Sequence, residues 1–165
     1  MDPSDLESVA ACEAELSPFP WNVTMLADEL RHGSFCRVLL SEENERIGYM
    51  LLRPILDEWH LMTIGVTRSH QRQGWGRYLL LEGIRHAVRQ QGRVLLLDVR
   101  ASNLPARRLY DSLGFRLLHR RRHYYSSCRP ASASGCLPCP APTEDALVME
   151  LSLASIHSAV GPDGD

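Results

Sequence analysis

The sequence predicts a single α/β domain of 165 residues, a mixed central sheet with helices on both faces. Three observations carry that expectation. After an opening hairpin the apolar patterns run strand, helix, strand, helix, strand, which is the order of a sheet with crossover helices. The pattern from Gly74 to about Gln91 has helical spacing, and Val94-Leu95-Leu96-Leu97-Asp98-Val99 is nearly unbroken in its apolar character. With 44% apolar residues and no internal repeat, the chain is long enough to bury one core.

Taken in order, Ser4-Asp5-Leu6-Glu7 has the form of a capping box, so the first helix is expected from about Asp5 to Glu15. Ser17-Pro18-Phe19-Pro20-Trp21 ends it. A second helix starts near Asn22 or Thr24 and stops at Gly33. Phe35 to Ser41 and Ile47 to Arg53, joined by the polar turn 42–46, read as a hairpin. A third strand fits Glu58 to Thr67. The long helix follows, with Leu80, Ile84, Ala87 and Val88 on one face and Gly92 closing it. Val94 to Val99 is expected to be a strand buried on both faces. A short helix spans about Leu104 to Leu113 and ends at Gly114; strands follow at Phe115 to Tyr125 and Ala146 to Leu153. Residues 126–144, rich in Cys, Pro and Ser, read as a long loop between the last two strands, and 154–165 as a flexible tail.

Composition narrows the function classes. The net charge is −2, so no direct nucleic-acid binding is expected. All 18 basic residues are Arg, which reads as compositional bias; those between Arg116 and Arg122 fit either an acidic ligand or a solvated strand face. No apolar run reaches the ~20 residues of a membrane span. Met1-Asp2-Pro3-Ser4-Asp5 lacks the basic start of a secretory signal, so a cytoplasmic protein is expected. Cys12 and Cys36 read as core thiols. Cys136-x-x-Cys139 with Cys128 and His123 offers a zinc donor set in principle; an exposed insertion without metal is the preferred reading.

The chemistry starts at Gln71-Arg72-Gln73-Gly74-Trp75-Gly76-Arg77, between a strand and a helix. Two glycines let the backbone approach a ligand, and the unpartnered N–H groups of a helix start form an anion site suited to a pyrophosphate. Arg72 and Arg77 add charge. No Lys-Ser/Thr follows, so this is not a P-loop, and Leu79 stands where a dinucleotide fingerprint has its third glycine.

This string resembles motif A of the GNAT acetyltransferase superfamily. A second block, Leu97-Asp98-Val99-Arg100-Ala101-Ser102-Asn103, then Ala106, Leu109-Tyr110 and Leu113-Gly114-Phe115, is similar to the LEVRxSNxxAxxLYxxLGF block of the RimI-type ribosomal-protein-alanine N-acetyltransferases. Phe19-Pro20-Trp21, Tyr124-Tyr125 and Asp145-Ala146-Leu147-Val148-Met149 extend the likeness from about residue 19 to residue 151. The resemblance implies acetyl-CoA as co-substrate, no metal, and an acceptor that is the N-terminal amine of a protein, a ribosomal one with alanine first. It places the acetyl-pantetheine end between two splayed parallel strands, on the backbone of Ile64, Gly65 and Val66. The pyrophosphate falls on Arg72, Gln73, Gly74, Trp75, Gly76 and Arg77, and the pantetheine arm on Asn103. Asp98 takes the place of a catalytic Glu, the base, and Tyr110 that of the acid for the leaving sulfur. Asp98 withdraws the carboxylate by about 1.5 Å relative to Glu, which a relay through water absorbs more easily than direct contact does. Phe19-Pro20-Trp21 fits either a wall of the peptide slot or an aromatic staple under the helices. From the residues alone, Asp98 also fits a strand-end carboxylate holding Arg100 or a helix N-terminus, Tyr110 a packing aromatic, and Asn103 a helix cap. Lysine or small-amine acetylation, and acetyl-CoA binding without turnover, are the alternative readings.

Overall fold

The computed structural model describes residues 1–126 and 143–154. Among the described residues four α-helices and six strands follow in the order α1 (Leu6–Leu16), α2 (Val23–Arg31), β1 (Phe35–Leu40), β2 (Arg46–Ile55), β3 (Glu58–Val66), α3 (Trp75–Arg89), β4 (Val94–Arg100), α4 (Leu104–Ser112), β5 (Arg116–Ser126) and β6 (Thr143–Ser152). Contacts divide the chain into Met1–Leu95 with the segment from Ser152, and Leu96–Leu151; β4 and β6 both pass from one unit into the other.

In the first unit β1, β2 and β3 form an antiparallel meander. Its two faces are covered by different helices. Tyr49 and Leu51 of β2 join Leu6 and Val9 of α1, Leu26 of α2 and Cys36 of β1 in one buried cluster. Met50 and Leu52, one residue out of phase, point to the other face, where a Cβ on Gly83 of α3 would meet Leu52 Cδ1 at 2.7 Å and Met50 Sδ at 2.9 Å. Gly83 therefore lets α3 lie close on the sheet. Leu26, Leu80 and Leu52 are fully buried, each worth about 1.5–3 kcal/mol.

The β2–β3 pairing slips once. Leu51 faces Thr63 and Leu52 faces Leu61, so Met62 is an extra residue in β3. The slip reverses side-chain alternation: Trp59 and Leu61 share the α3 face of Leu52, whereas Thr63 and Gly65 face the same way as Tyr49.

Helix ends follow local chemistry, with two departures from expectation. The first cap is Asp2, whose side chain accepts from Ser4 N–H at 2.8 Å while Asp5 Oδ2 accepts from Asp2 N–H at 3.0 Å. A 3-10 turn over Pro3–Asp5 thus precedes α1, and Ser4 lies inside it instead of capping it. Asn22 caps α2 as expected, accepting from Met25 N–H at 2.9 Å. Gly33, at φ +75°, closes α2, with Ser34 N–H bonded to Glu29 C=O. At the end of α3 the left-handed residue is Gln91 (φ +58°), not Gly92. Gly92 is required for a different reason: a Cβ there would sit 2.4 Å from Trp59 Cδ1.

In the second unit β5 and β6 pair antiparallel, from Arg116 opposite Glu150 to Ser126 opposite Thr143. Ala101 N–H bonds to Asp145 C=O, and in the first unit Leu153 N–H bonds to Arg93 C=O; the falling register makes β4 and β6 antiparallel. β4 was expected to be buried on both faces. Instead Leu95, Leu97 and Val99 are buried, and Asp98 between them is exposed. The last strand begins at Thr143, three residues earlier than the apolar pattern implied, because Glu144 and Asp145 hold partners there. Cys128, Cys136 and Cys139, and the tail beyond residue 154, lie outside the described residues.

Both expected core thiols are free. Cys36 is buried, which pushes its thiol up to about 11. Desolvation raises Cys12 as well.

His86 of α3 stacks on Phe35 with ring centroids 3.6 Å apart and meets Trp59 edge-on at 5.1 Å. Arg37 lies over the Phe35 ring at 4.1 Å. Burial lowers the His86 pKa, with Arg37 and Arg89 adding repulsion. A histidine lowered in the fold binds fewer protons there than in the unfolded chain, so stability is complete above the ordinary value of about 6.5 and declines as pH falls through it. Thermal melts should accordingly show a smaller fall in Tm between neutral and mildly acidic buffer for His86→Phe than for the parent.

Candidate active site

The glycine turn leaves the head of α3 open. Gly74, at φ +91°, is the N-cap of α3 and brings no side chain to it, and a Cβ there would meet nothing within 4 Å. The amides of Trp75 and Gly76 open the helix ahead of the bond from Tyr78 N–H to Gly74 C=O at 3.0 Å. Arg72 also adopts a left-handed backbone, φ +61°. Side chains brace the turn from outside: Gln71 Nε2 donates to Val66 C=O at 3.0 Å, Gln73 Nε2 to Ser69 C=O at 3.2 Å, and Trp75 Nε1 to Gln73 Oε1 at 3.4 Å. Gln73 and Trp75 remain exposed, with their side chains bonded within the turn. Arg72 and Arg77 are exposed at the helix start, where the dipole adds to their charge.

Gln71 ties this turn to the end of β3, where Ile64, Gly65 and Val66 face Met50, Tyr49 and Gly48 of β2. Gly65 lies against the ring of Tyr49; a Cβ would be 2.4 Å from the Tyr49 oxygen. Glycine is needed here for closeness, since its φ is not positive.

The second unit holds the other three expected residues. Asn103 caps α4, its Oδ1 accepting from Ala106 N–H at 3.2 Å. Glu144 supports the turn before it, accepting from Ser102 N–H at 2.6 Å and from Arg100 at 3.2 Å. Asp98 is partly exposed on β4 and its Oδ2 accepts from Arg121 Nη1 of β5 at 3.1 Å. The partner is thus Arg121, not Arg100, whose guanidinium lies 4.1 Å over the Tyr125 ring. Arg121 also covers the Tyr124 ring at 3.7 Å, and Arg120 pairs with Asp145. Part of the Arg116–Arg122 cluster is thereby neutralised within the hairpin.

Tyr110 is 5% exposed on α4, its ring 5.6 Å from that of Phe115. Burial pushes its hydroxyl above the ordinary tyrosine value, with Tyr125 adding to the shift. Tyr125 is pushed up to about 12, first by burial and then by the charge of Asp98. Tyr110 therefore stays protonated at any physiological pH. A thiol, at about 8.5, is a stronger acid than a tyrosine at about 10, so complete transfer from tyrosine to a thiolate runs uphill. Burial widens that gap. Tyr110 is suited to donating a hydrogen bond to a sulfur that is gaining charge, a lesser role than the full acid expected.

Sequence reasoning missed Glu13. It is 2% exposed, with Oε1 accepting from the Thr63 hydroxyl and Oε2 from Trp21 N–H at 3.4 Å. The signal was present: Glu13 falls in helical phase with buried Leu6 and Val9, a carboxylate on an apolar face. His123, the candidate fourth zinc donor, faces Thr143 Oγ1, and its backbone N–H donates to Asp145 at 2.8 Å.

Residues 5–115 match the acetyltransferase (GNAT) family. The [ribosomal protein bS18]-alanine N-acetyltransferase of Escherichia coli K12 is 30% identical to the chain, over 93% of this chain and 95% of its own length. The protein of the same name from Salmonella typhimurium is 31% identical over 92% and 93%. The crystal structure of the Escherichia coli enzyme superposes with a TM-score of 0.79, covering 93% of this chain and 90% of that one. Arabidopsis thaliana NAA60 in complex with acetyl-CoA, 19% identical, shares the fold with a TM-score of 0.74 over 92% and 96%. The six strands and four helices, the open turn at the head of α3 and these matches agree: the chain belongs to the GNAT family of acetyltransferases.

Proposed function

We propose that this N-acetyltransferase moves the acetyl group of acetyl-CoA to the α-amino group of an N-terminal alanine, on a ribosomal protein as in its bacterial relatives. The observation that carries the reading is identity of 30% along 93% of the chain to enzymes of that name. A cytoplasmic location and independence from metal belong to the same reading. Among the described residues no helix is long and apolar enough to cross a membrane.

Acetyl-CoA supplies the thioester. The amides at the head of α3, with Arg72 and Arg77, hold its pyrophosphate, and Asn103 holds the pantetheine arm with the amide that capping leaves over. The backbone of Ile64, Gly65 and Val66 binds the acetyl-pantetheine end, an N–H near Val66 polarising the carbonyl. The neutral amine attacks the thioester carbon; the C–N bond forms, the oxyanion collapses and the C–S bond breaks. Asp98 takes the amine proton through water, and Tyr110 hydrogen-bonds the departing thiolate. An N-terminal amine titrates at about 7.7–8.0, so the base has a modest task near neutrality.

Thiol release from acetyl-CoA tests the reading with two short peptides, one with a free N-terminal Ala, the other N-terminally blocked and containing a lysine. Turnover of the first alone is expected. Turnover of the second alone moves the chain to side-chain acetylation. The base is tested separately. Asp98→Asn should cut kcat/KM at neutral pH about 10²-fold or more. A rate–pH profile of Asp98→Asn that matched the parent's would exclude Asp98 as the base.

A further inference from the structure

We propose that Glu13 is a positioning residue for the acceptor amine: its buried carboxylate fastens the connection between α1 and α2 to β3 beside Gly65. The inference rests on the reading of Ile64 to Val66 as the acetyl-binding segment.

A carboxylate inside an apolar cluster is costly unless its oxygens are hydrogen-bonded. Here Thr63 and the Trp21 backbone occupy one oxygen each, and the Tyr49 hydroxyl is a third hydrogen-bonding contact. Tyr49 is 2% exposed; burial, then the charge and hydrogen bond of Glu13, push its hydroxyl well above the ordinary value, so it remains a donor to the carboxylate. Thr63 precedes Gly65 by two residues on the same face, and the Tyr49 ring is pressed against Gly65 itself. One side chain thus touches the α1–α2 connection and both groups that flank the Gly65 backbone.

An apolar side chain at position 13 would join α1 to the sheet as well or better, because buried charge seldom adds net stability. What the carboxylate adds is direction. It fixes the Trp21 N–H, and with it Phe19-Pro20-Trp21, at a set distance from Thr63, which apolar packing cannot specify. The other face of this part of the meander is covered by α3, where a Cβ on Gly48 would meet Leu79 Cδ1 at 3.4 Å. The Glu13 face is the one covered by α1 and α2, so the α1–α2 connection is what Glu13 sets against the Ile64–Val66 backbone. The slip at Met62 is what turns Thr63 to that face.

The test is steady-state kinetics with the Ala-first peptide and acetyl-CoA varied separately, on the full chain. Thr63→Val, which exchanges only a hydroxyl for a methyl, and Glu13→Ala should each raise the peptide KM about tenfold and leave the acetyl-CoA KM within about twofold. Glu13→Gln keeps the length and an acceptor for Trp21 N–H and should recover most of the loss. Both KM values unchanged in Thr63→Val, or both raised in parallel, would overturn the proposal, since a merely structural group lowers Tm without that split. Silence of the parent enzyme on the peptide is a separate result. It removes the N-terminal acceptor, and the same split is then sought on whichever amine the parent accepts.

Discussion

Tyr110→Phe should lower kcat about 10²-fold with acetyl-CoA affinity unchanged. The substitution removes one oxygen from a residue that is 5% exposed and packed on Phe115, so the helix and its packing persist. Any loss then reports the hydroxyl. Because burial holds that hydroxyl protonated, the residue serves only as a donor. If it stabilises the departing sulfur, the effect belongs to the transition state and appears in kcat and kcat/KM alike. The rate should also fall less steeply with a more acidic leaving thiol, which needs less help. Unchanged turnover would remove Tyr110 from the reaction and leave it as a packing aromatic. Isothermal titration with acetyl-CoA and stopped-time thiol assays separate the two outcomes.

Gly65→Ala should be as damaging for a different reason. The new Cβ would lie 2.4 Å from the Tyr49 oxygen and 2.5 Å from Cζ, and Tyr49 cannot swing aside because it is itself buried and held by Glu13. Overpacking of this kind costs about 1–3 kcal/mol. In a chain of this size that lowers Tm by several degrees, roughly 2–4 °C per kcal/mol. The larger consequence is chemical: the strain moves the Ile64–Val66 backbone, and a misplacement of about 1 Å in a reacting geometry can remove 10²-fold in rate. Adding Tyr49→Ala gives the methyl group room, so the double variant should lose less stability than the sum of the single losses. Melting curves and thiol release for the four proteins form the cycle. Strict additivity would show that Gly65 and Tyr49 do not compete for the same space.

What could be read from the chain and what could not divide along sequence distance. Asn22 and Gly33 were found because a cap acts within four residues. The head of α3 was found because Gly74, at φ +91°, carries a local backbone requirement. The local readings that failed did so where two signals stood side by side. Ser4 and Asp2 both suit a cap, and Pro3 decides for Asp2 by starting a 3-10 turn. Gln91 and Gly92 both suit a helix end, and Trp59, more than thirty positions away, requires the glycine for room instead. The apolar run of β4 concealed an alternating strand because Asp98, the only polar residue in it, was read as a site and not as a phase marker. The candidate site behaves in the same way. Asp98 and Tyr110 could be named as candidates from their block, but Arg121, 23 positions after Asp98, and Thr63, 50 after Glu13, meet their partners only through the folded sheet.

The extra residue at Met62 gives β3 two phases. Its first half, through Trp59 and Leu61, answers to α3 and the bulk of the core; its second, through Thr63 and Gly65, answers to Glu13 and Tyr49. A single strand therefore carries two separable specifications, one for how firmly the domain holds together and, under the role proposed for Ile64 to Val66, one for what it accepts. Changes to the first can accumulate without rewriting the second, so an enzyme built on this strand can adjust to a new temperature and to a new substrate by different letters of the same nine-residue word.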